Sequence, residues 1–327
     1  MMGFRSARLM LGVVVTIAVL LAGDVNAQSR RLVKIGALTP SWGPTPAIVG
    51  LRDGLQELGY RENEHFVIGV RFTQGNNAEL PAAARDLVRQ GVDIIVASGG
   101  IAGKAAQMAT NRIPIVFLGG SDPVRTGLVK SYARPGGNIT GIADLEGDLA
   151  SKRMEIFREL VPGLKRMLLP YDATNEFTVA QLDVYREAAR RLGLTLVERP
   201  VRTEAEAQAA IAEVRKGEVD GIFSPRAVSL NIPGLILDTA PKLALLTMFD
   251  IPFYVEKGGL ASYSRSEHEL GRQAARLVDK IVKGAKPADL PVEQPTKFEL
   301  VINMKTAKAL GITIPPSVLL RAERVIE

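Results

Sequence analysis

From residue 32 onward, apolar positions fall alternately into short continuous runs and into stripes of helical spacing. Residues 32–38 (LVKIGAL) form an apolar run of strand length. Thr45-Pro46 then opens a helix, with Thr45 as N-cap and Pro46 in the first turn. Ile48, Leu51, Leu55 and Leu58 recur at three- and four-residue steps on one face, and Gly59 ends the helix. Phe66, Ile68, Val70 and Phe72 alternate, which predicts a strand with one buried face. A helix over 79–90, a strand over 92–97, a helix over 102–111 and a strand over 113–118 follow. The turn cluster Arg134-Pro135-Gly136-Gly137-Asn138 interrupts the alternation, and a first crossing between two lobes is expected just after it.

The pattern then restarts. Helices are predicted over 150–160, 176–192, 204–215 and 232–242, with strands over 166–169, 194–197, 219–223 and 243–249. A short strand over 260–264 precedes a helix over 266–283 that carries a capping box, Ser266 and Glu269. A proline-rich link (Pro287, Pro291, Pro295) leads to a strand over 298–302 and a helix over 305–310. Strands alternating with helices predict an α/β fold of parallel sheets with helices on both faces.

One phrase occurs twice. Residues 87–100 (LVRQGVDIIVASGG) and 213–226 (EVRKGEVDGIFSPR) each run from Val-Arg through a glycine and a Val-Asp pair to an apolar run that stops at a serine. Gly59 matches Gly193, Asp93 matches Asp220 and Ser98 matches Ser224 at a nearly constant offset. Two copies of a helix–turn–strand unit predict two similar lobes.

The first residues read differently. Arg5 and Arg8 precede an apolar run over 9–22, and Val25 and Ala27 are small residues at −3 and −1 of a cleavage site before Gln28. This is the pattern of a signal peptide over 1–27, too short in its apolar part for a comfortable membrane span. It predicts an exported, periplasmic chain with no stable membrane insertion after cleavage. The chain has no cysteine, which removes thiol catalysis, thiolate metal sites and disulfides. The net charge of +6 is spread without Lys/Arg runs or interleaved aromatics, so no nucleic-acid partner is expected. With 46% hydrophobic and only 5% aromatic residues, the cores should be aliphatic. His65 and His268 stand apart, so neither a metal site nor a Ser-His-Asp triad is expected, and Ser98 to Lys104 fails the spacing of a phosphate loop.

Several segments resemble the ABC-transporter substrate-binding family, of the type described as tryptophan/tyrosine transport proteins. They are Gly54-Leu55-Gln56-Glu57-Leu58-Gly59-Tyr60, Ile113-Pro114-Ile115-Val116-Phe117, Asp122-Pro123-Val124-Arg125-Thr126-Gly127-Leu128 and Ala133-Arg134-Pro135-Gly136-Gly137-Asn138-Ile139-Thr140-Gly141. Gly258-Gly259-Leu260-Ala261-Ser262-Tyr263 and the run over 283–310 complete them. The resemblance implies a type I periplasmic-binding fold: two doubly wound lobes, a three-crossover hinge and a ligand cleft between them. It implies lobe 1 over 32–142 plus 259–285 and lobe 2 over 143–258 plus 286–327. It further implies a monomeric, non-enzymatic receptor without cofactor or metal. Such a receptor captures a small polar or amino-acid-like solute, aromatic or carboxylate-bearing, and hands it to an ABC permease with its ATPase. A periplasmic sensor that signals to a membrane receptor is the alternative. Two segments depart from the family pattern, Tyr171-Asp172-Ala173 in place of an aromatic–Asn–Pro triplet and Ser224-Pro225-Arg226 in place of an acidic loop.

Ligands of open α/β sheets bind at strand carboxyl ends. In the first lobe those ends carry Ser41, Trp42, Ser98, Gly99, Gly100, Gly120, Ser121 and Asp122. Ser98, Gly100 and Ser121 are candidates for holding a carboxylate at helix starts. In the second lobe they carry Tyr171, Asp172, Asn175, Ser224, Arg226 and Asp250. Asp172 or Asp250 would pair with an ammonium, Arg226 with an acidic group, and Trp42 and Tyr171 would stack on a planar ligand.

Overall fold

The structure is a computed structural model that describes residues 32–144, 146–225 and 229–327. Residues 1–27, where a signal peptide is expected, and the candidate Arg226 lie outside the described residues.

The first sheet is built from β1 (Val33–Thr39), β2 (Phe66–Phe72), β3 (Ile94–Ser98), β4 (Ile115–Ser121) and β5 (Ile139–Asp144). Helices α1 (Pro46–Glu57), α2 (Leu80–Arg89) and α3 (Gly100–Ala109) connect them. All pairings are parallel, in the order β2-β1-β3-β4-β5. One face packs on α1, with Leu51 and Leu55 buried, and the other on α2 and α3, with Leu80, Leu87 and Ala106 buried. The aliphatic composition therefore shows as two thin layers, each buried leucine contributing about 1.5–3 kcal/mol.

The second sheet follows α4 (Glu146–Leu160). It contains β6 (Arg166–Asp172), α5 (Glu176–Val179), α6 (Leu182–Arg191), β7 (Thr195–Val201), α7 (Glu204–Ala212) and β8 (Gly221–Phe223). It continues with α8 (Ile232–Thr239), β9 (Leu246–Phe249), α9 (Pro252–Glu256) and β10 (Ala261–Arg265). Helix α10 (Glu267–Val282), β11 (Phe298–Asn303), α11 (Met304–Ala309), α12 (Pro316–Leu319) and β12 (Arg324–Ile326) complete the chain. The single helix expected over 176–192 is two, separated at residues 180–181.

The strand order is β12-β11-β10-β9-β8-β6-β7. Read from β7, the order β7-β6-β8-β9-β10 repeats that of the first sheet, strand for strand. The doubled phrase thus leads from the second helix into the third strand of each half, α2 into β3 and α7 into β8; Val88-Arg89 closes α2, whereas Val214-Arg215, expected to end a helix, lies beyond the end of α7 at Ala212. Its glycines, Gly91 and Gly217, sit at φ 65° and 82°, where a side chain would be strained. Its aspartates have one job in both halves. Asp93 Oδ2 accepts from the backbone N–H of Lys34 at 2.8 Å, and Asp220 Oδ2 accepts from those of Lys165 and Arg166 at 2.9 and 2.7 Å. Each tethers the amino end of the neighbouring central strand, at the edge opposite the candidate site.

Residues 259–285, expected to belong wholly to the first lobe, are divided. Strand β10 pairs parallel with β9 and antiparallel with β11 in the second sheet, while α10 crosses back and lies along α1. The reason is steric. Gly50 and Gly54 on α1 face Gly271 and Ala275 on α10, and a Cβ at Gly50 or Gly271 would overlap the carbonyl oxygen of His268 or Ala47. Only this pair of small-residue surfaces lets the helices approach so closely. Helix α4 makes the reciprocal exchange: it follows β5 and packs against α6 and β10. A third crossing returns through Glu293, whose N–H and C=O bond Gly141 and Ala143 beside β5. The result is two doubly wound lobes joined by three crossovers, the type I periplasmic-binding arrangement.

Candidate functional site

The parallel strands of both sheets end toward the crossovers, so the loops there are where chemistry converges. In the first lobe, β1 ends at the buried Thr39. Its hydroxyl donates to Ser41 Oγ at 3.1 Å and accepts from Ser41 N–H, and Ser41 Oγ donates to the Gly43 carbonyl at 2.7 Å. Ser41 therefore shapes its own loop. That loop holds Trp42 78% exposed, the most solvent-facing large aromatic among the described residues. Nothing in the core needs it there, which leaves its indole available for stacking.

Strand β3 ends at the half-buried Ser98, and Gly99 (φ 89°) turns the chain into α3. No side chain caps this helix. The amides of its first turn, beginning at Gly100, have no intrahelical acceptors and favour an anion. Strand β4 breaks register between Leu118 and Ser121, and Gly119 and Gly120 there adopt φ of 76° and 130°. Gly120 lies so close to Gly100 that a Cβ would approach the Gly100 amide nitrogen to 3.0 Å. The two glycine turns thus form one backbone-lined shelf. Ser121 lies on it by its backbone position. Asp122 turns away, its carboxylate accepting from Arg125 N–H at 3.0 Å and pairing with the Arg125 guanidinium at 3.2 Å.

The second lobe presents side chains. Asp172, the last residue of β6, is buried. Its Oδ1 accepts from Thr174 N–H and the Thr174 hydroxyl at 2.8 and 2.6 Å. Asn175 Oδ1 accepts from Thr178 N–H at 3.2 Å and so starts α5. Ser224, just past β8, is buried with its Oγ unpartnered, as is Thr178 Oγ1. Such a hydroxyl costs about 1–3 kcal/mol until something accepts or donates. Asp250, at the end of β9, is also buried. Burial, reinforced by the Asp250 charge, pushes the neighbouring Tyr254 hydroxyl up to about 12.

The structure corrects one expectation in this lobe. The Tyr171 ring is buried in the core under α6, so it is not a stacking platform. Burial first, and then Glu198, raises its pKa above the ordinary tyrosine value. The reason is strand alternation: Asp172 takes the loop position, and its neighbour must face the core.

Three polar residues near these loops escaped the sequence reading. Arg153 on α4 is fully buried, with its guanidinium 5.7 Å from the Phe223 ring. Asp144 and Arg265 end β5 and β10 and form a buried ion pair with each other. The signal was present, in that each charge terminates or flanks an apolar run. A lone charge at a strand end is equally common on solvated turns, however. Both histidines are engaged locally: His65 Nδ1 accepts from Arg61 N–H at 2.9 Å, and His268 Nε2 lies 2.7 Å from Asp53 across the α1–α10 contact. Cavities of about 420 Å³ and 340 Å³ occur at the amino ends of strands, the first beside Val33, Ile94 and Lys283 and the second beside Thr247, Gly259 and Lys305. They lie on the edges opposite the crossovers and away from the convergent polar groups. The strand carboxyl ends are therefore the better candidate, because the sheet topology and the uncapped α3 amides coincide there.

Comparison with known proteins places this arrangement in context. Residues 44–326 match the sequence profile of the family described as ABC transporter substrate binding protein. A tyrosine-binding protein of Clostridioides difficile (strain R20291) is 28% identical over 294 residues, 88% of this chain and 83% of that protein. A domain from Streptococcus pneumoniae solved in complex with L-Trp is 30% identical, with a TM-score of 0.79 over 90% of this chain and 99% of that one. A conserved domain protein of Vibrio cholerae is 29% identical, with a TM-score of 0.78 and the same coverage.

Proposed function

This chain belongs to the ABC transporter substrate-binding protein family, and from that premise we propose that it is the exported receptor of an importer for an aromatic amino acid. It binds its ligand between the two lobes without transforming it and closes about the hinge. It delivers the bound form to a membrane permease driven by an ATPase. The signal-peptide pattern over 1–27 supports export to the periplasm.

One observation carries the reading: the strand ends offer the complementary parts of an amino acid on opposite lobes. The uncapped α3 amides and the Gly119–Gly120 shelf suit a carboxylate. Asp172 and Asp250 are buried acids suited to an ammonium. Trp42 is an exposed indole suited to a ring. Tyrosine, for which one relative is named, and the L-Trp bound in another have these three parts.

The test uses protein from Gln28 onward. Titration calorimetry with L-tryptophan, L-tyrosine, L-leucine and a sugar should give binding to one or both aromatic amino acids only. Ser224→Ala should weaken that binding about tenfold, roughly 1.4 kcal/mol, because Ser224 Oγ is a buried group awaiting a partner. Ser98→Ala should change it less than about twofold if backbone amides carry the first lobe's contribution. Binding of none of the four by the wild-type protein would remove the reading.

A further inference from the structure

We propose that Asp144 and Arg265 are positioning residues for ligand capture, a buried ion pair at the hinge that holds both the two lobes' crossover strands and the glycine shelf of the site. The inference rests on the reading that ligand binds at the strand carboxyl ends.

Strand β5 is the fifth strand of the first sheet's β2-β1-β3-β4-β5 order, and β10 holds the same place in the second. Asp144 is the last residue of β5 and Arg265 the last residue of β10. They are equivalent positions of the two lobes, brought together although 121 residues apart. Each stands immediately before its crossover, α4 leaving from one and α10 from the other. Their side chains are only 2% and 6% exposed, so the pair is shielded from solvent and salt.

The pair is wired into the site. Asp144 Oδ2 accepts from the Gly120 N–H at 3.1 Å. The Arg265 guanidinium lies against Gly119, where a Cβ would come within 2.8 Å of Nη2 and 3.1 Å of Asp144 Oδ2. Gly120 in turn rests on Gly100, the first residue of α3. A continuous path therefore runs from the amides proposed to hold the ligand carboxylate, through Gly120 and Asp144, to Arg265 in the other lobe. The same Arg265 Nη2 also meets Glu267 at 2.8 Å, in the first turn of α10. The second and third crossovers are joined next to it, by Ser266 N–H donating to the Lys297 carbonyl at 2.9 Å. A neutral pair of similar shape would fill the space. It would not draw the Gly120 amide toward a carboxylate, nor tie it to the opposite lobe.

The test compares wild type with Asp144→Asn, Arg265→Met, the double variant and Arg265→Lys. The affinity for L-tryptophan and L-tyrosine is measured by calorimetry. The chain has no cysteine, so Met108→Cys and Phe253→Cys provide unique spin-label sites, exposed on the first and second lobes. Each single charge removal should weaken binding at least tenfold and broaden the interlobe distance distribution. The double variant should be no weaker than the worse single, since paired groups are not additive. Arg265→Lys, which keeps the charge, should recover most of the affinity and the narrow distribution. The Gly120 amide should lose hydrogen-exchange protection in Asp144→Asn and keep it in Arg265→Lys. Affinities within twofold of wild type in both single variants would overturn the proposal. If wild type binds neither amino acid, the cleft reading fails by itself. The distance distributions of the unliganded proteins then decide, and no broadening in Asp144→Asn overturns the pair's role. If Asp144→Asn does not fold, Arg265→Met against Arg265→Lys gives the same decision, and equal behaviour of those two overturns it.

Discussion

The two lobes share a five-strand order, a doubled helix–strand phrase and an aspartate tether at the amino edge, yet their carboxyl ends offer different chemistry. The first lobe presents backbone: an uncapped helix, glycines at positive φ, and an exposed indole. The second presents buried side chains, Asp172, Ser224 and Asp250, with Arg153 packed behind them. Backbone amides recognise what all amino acids share, a carboxylate, and tolerate change around it. Buried polar side chains must be matched or they are left unsatisfied, so they discriminate. In the proposed reading, general capture falls to the first lobe and selectivity to the second. The two segments that depart from the resembled family's pattern, at the end of β6 and after β8, both belong to the second.

The first way to break the comparison uses the exchanged helices. Gly271→Val should destabilise by about 3 kcal/mol or abolish folding, because α10 can no longer seat on α1. In the second lobe the exchanged helix α4 carries Gly147, whose nearest neighbour would be Val184 at an ordinary 3.5 Å. Gly147→Ala should be neutral or stabilise by up to about 1 kcal/mol. Thermal or urea unfolding of both variants checks the asymmetry. Equal losses would mean that the lobes exchange their helices by the same packing.

A smaller effect sharpens the common part. Asp93→Ala and Asp220→Ala should each cost about 1–2 kcal/mol of stability, since each carboxylate satisfies a strand's first amides. Neither should alter ligand affinity, because both lie at the edge away from the crossovers. An affinity loss in either would show that the repeated phrase is functional at both of its ends.

The smallest expected effect concerns acid. Arg186 donates to Glu198 at 2.7 Å and holds that carboxyl below its ordinary value of 4.5. A folded-state pKa below the unfolded one means the stabilisation is full above the unfolded value and is lost as pH falls through the folded one. Because Arg186 is half exposed, the contribution is about 0.5 kcal/mol. Glu198→Gln should therefore lower stability slightly at neutral pH and converge with wild type below pH 4.5. Curves that stay parallel through that range would refute the assignment.

Much of the fold is legible in the sequence because it is local. Alternation, helical stripes, the Thr45 and Ser266 caps and the glycine stops each act over a few residues, and they placed most strands and helices within a turn. The repeated phrase identified equivalent elements, since the tether by Asp93 and Asp220 needs only a turn and the adjacent strand. The strand ends, and with them Ser98, Gly100, Asp172, Ser224 and Asp250 as candidates, also follow from the βα alternation. Periodicity is silent on which sheet a strand joins. The sequence 260–264 reads as a strand whether it pairs with β5 or with β9. Only the close fit of Gly50 and Gly54 against Gly271 and Ala275 sends α10 to one lobe while its own strand stays in the other. The direction of each side chain is likewise set by pairing and packing, which put Tyr171 in the core and leave Trp42 outside. The contact of Asp144 with Arg265 was decided last of all. Two charges 121 residues apart meet only after both sheets have formed and their fifth strands end at the same hinge.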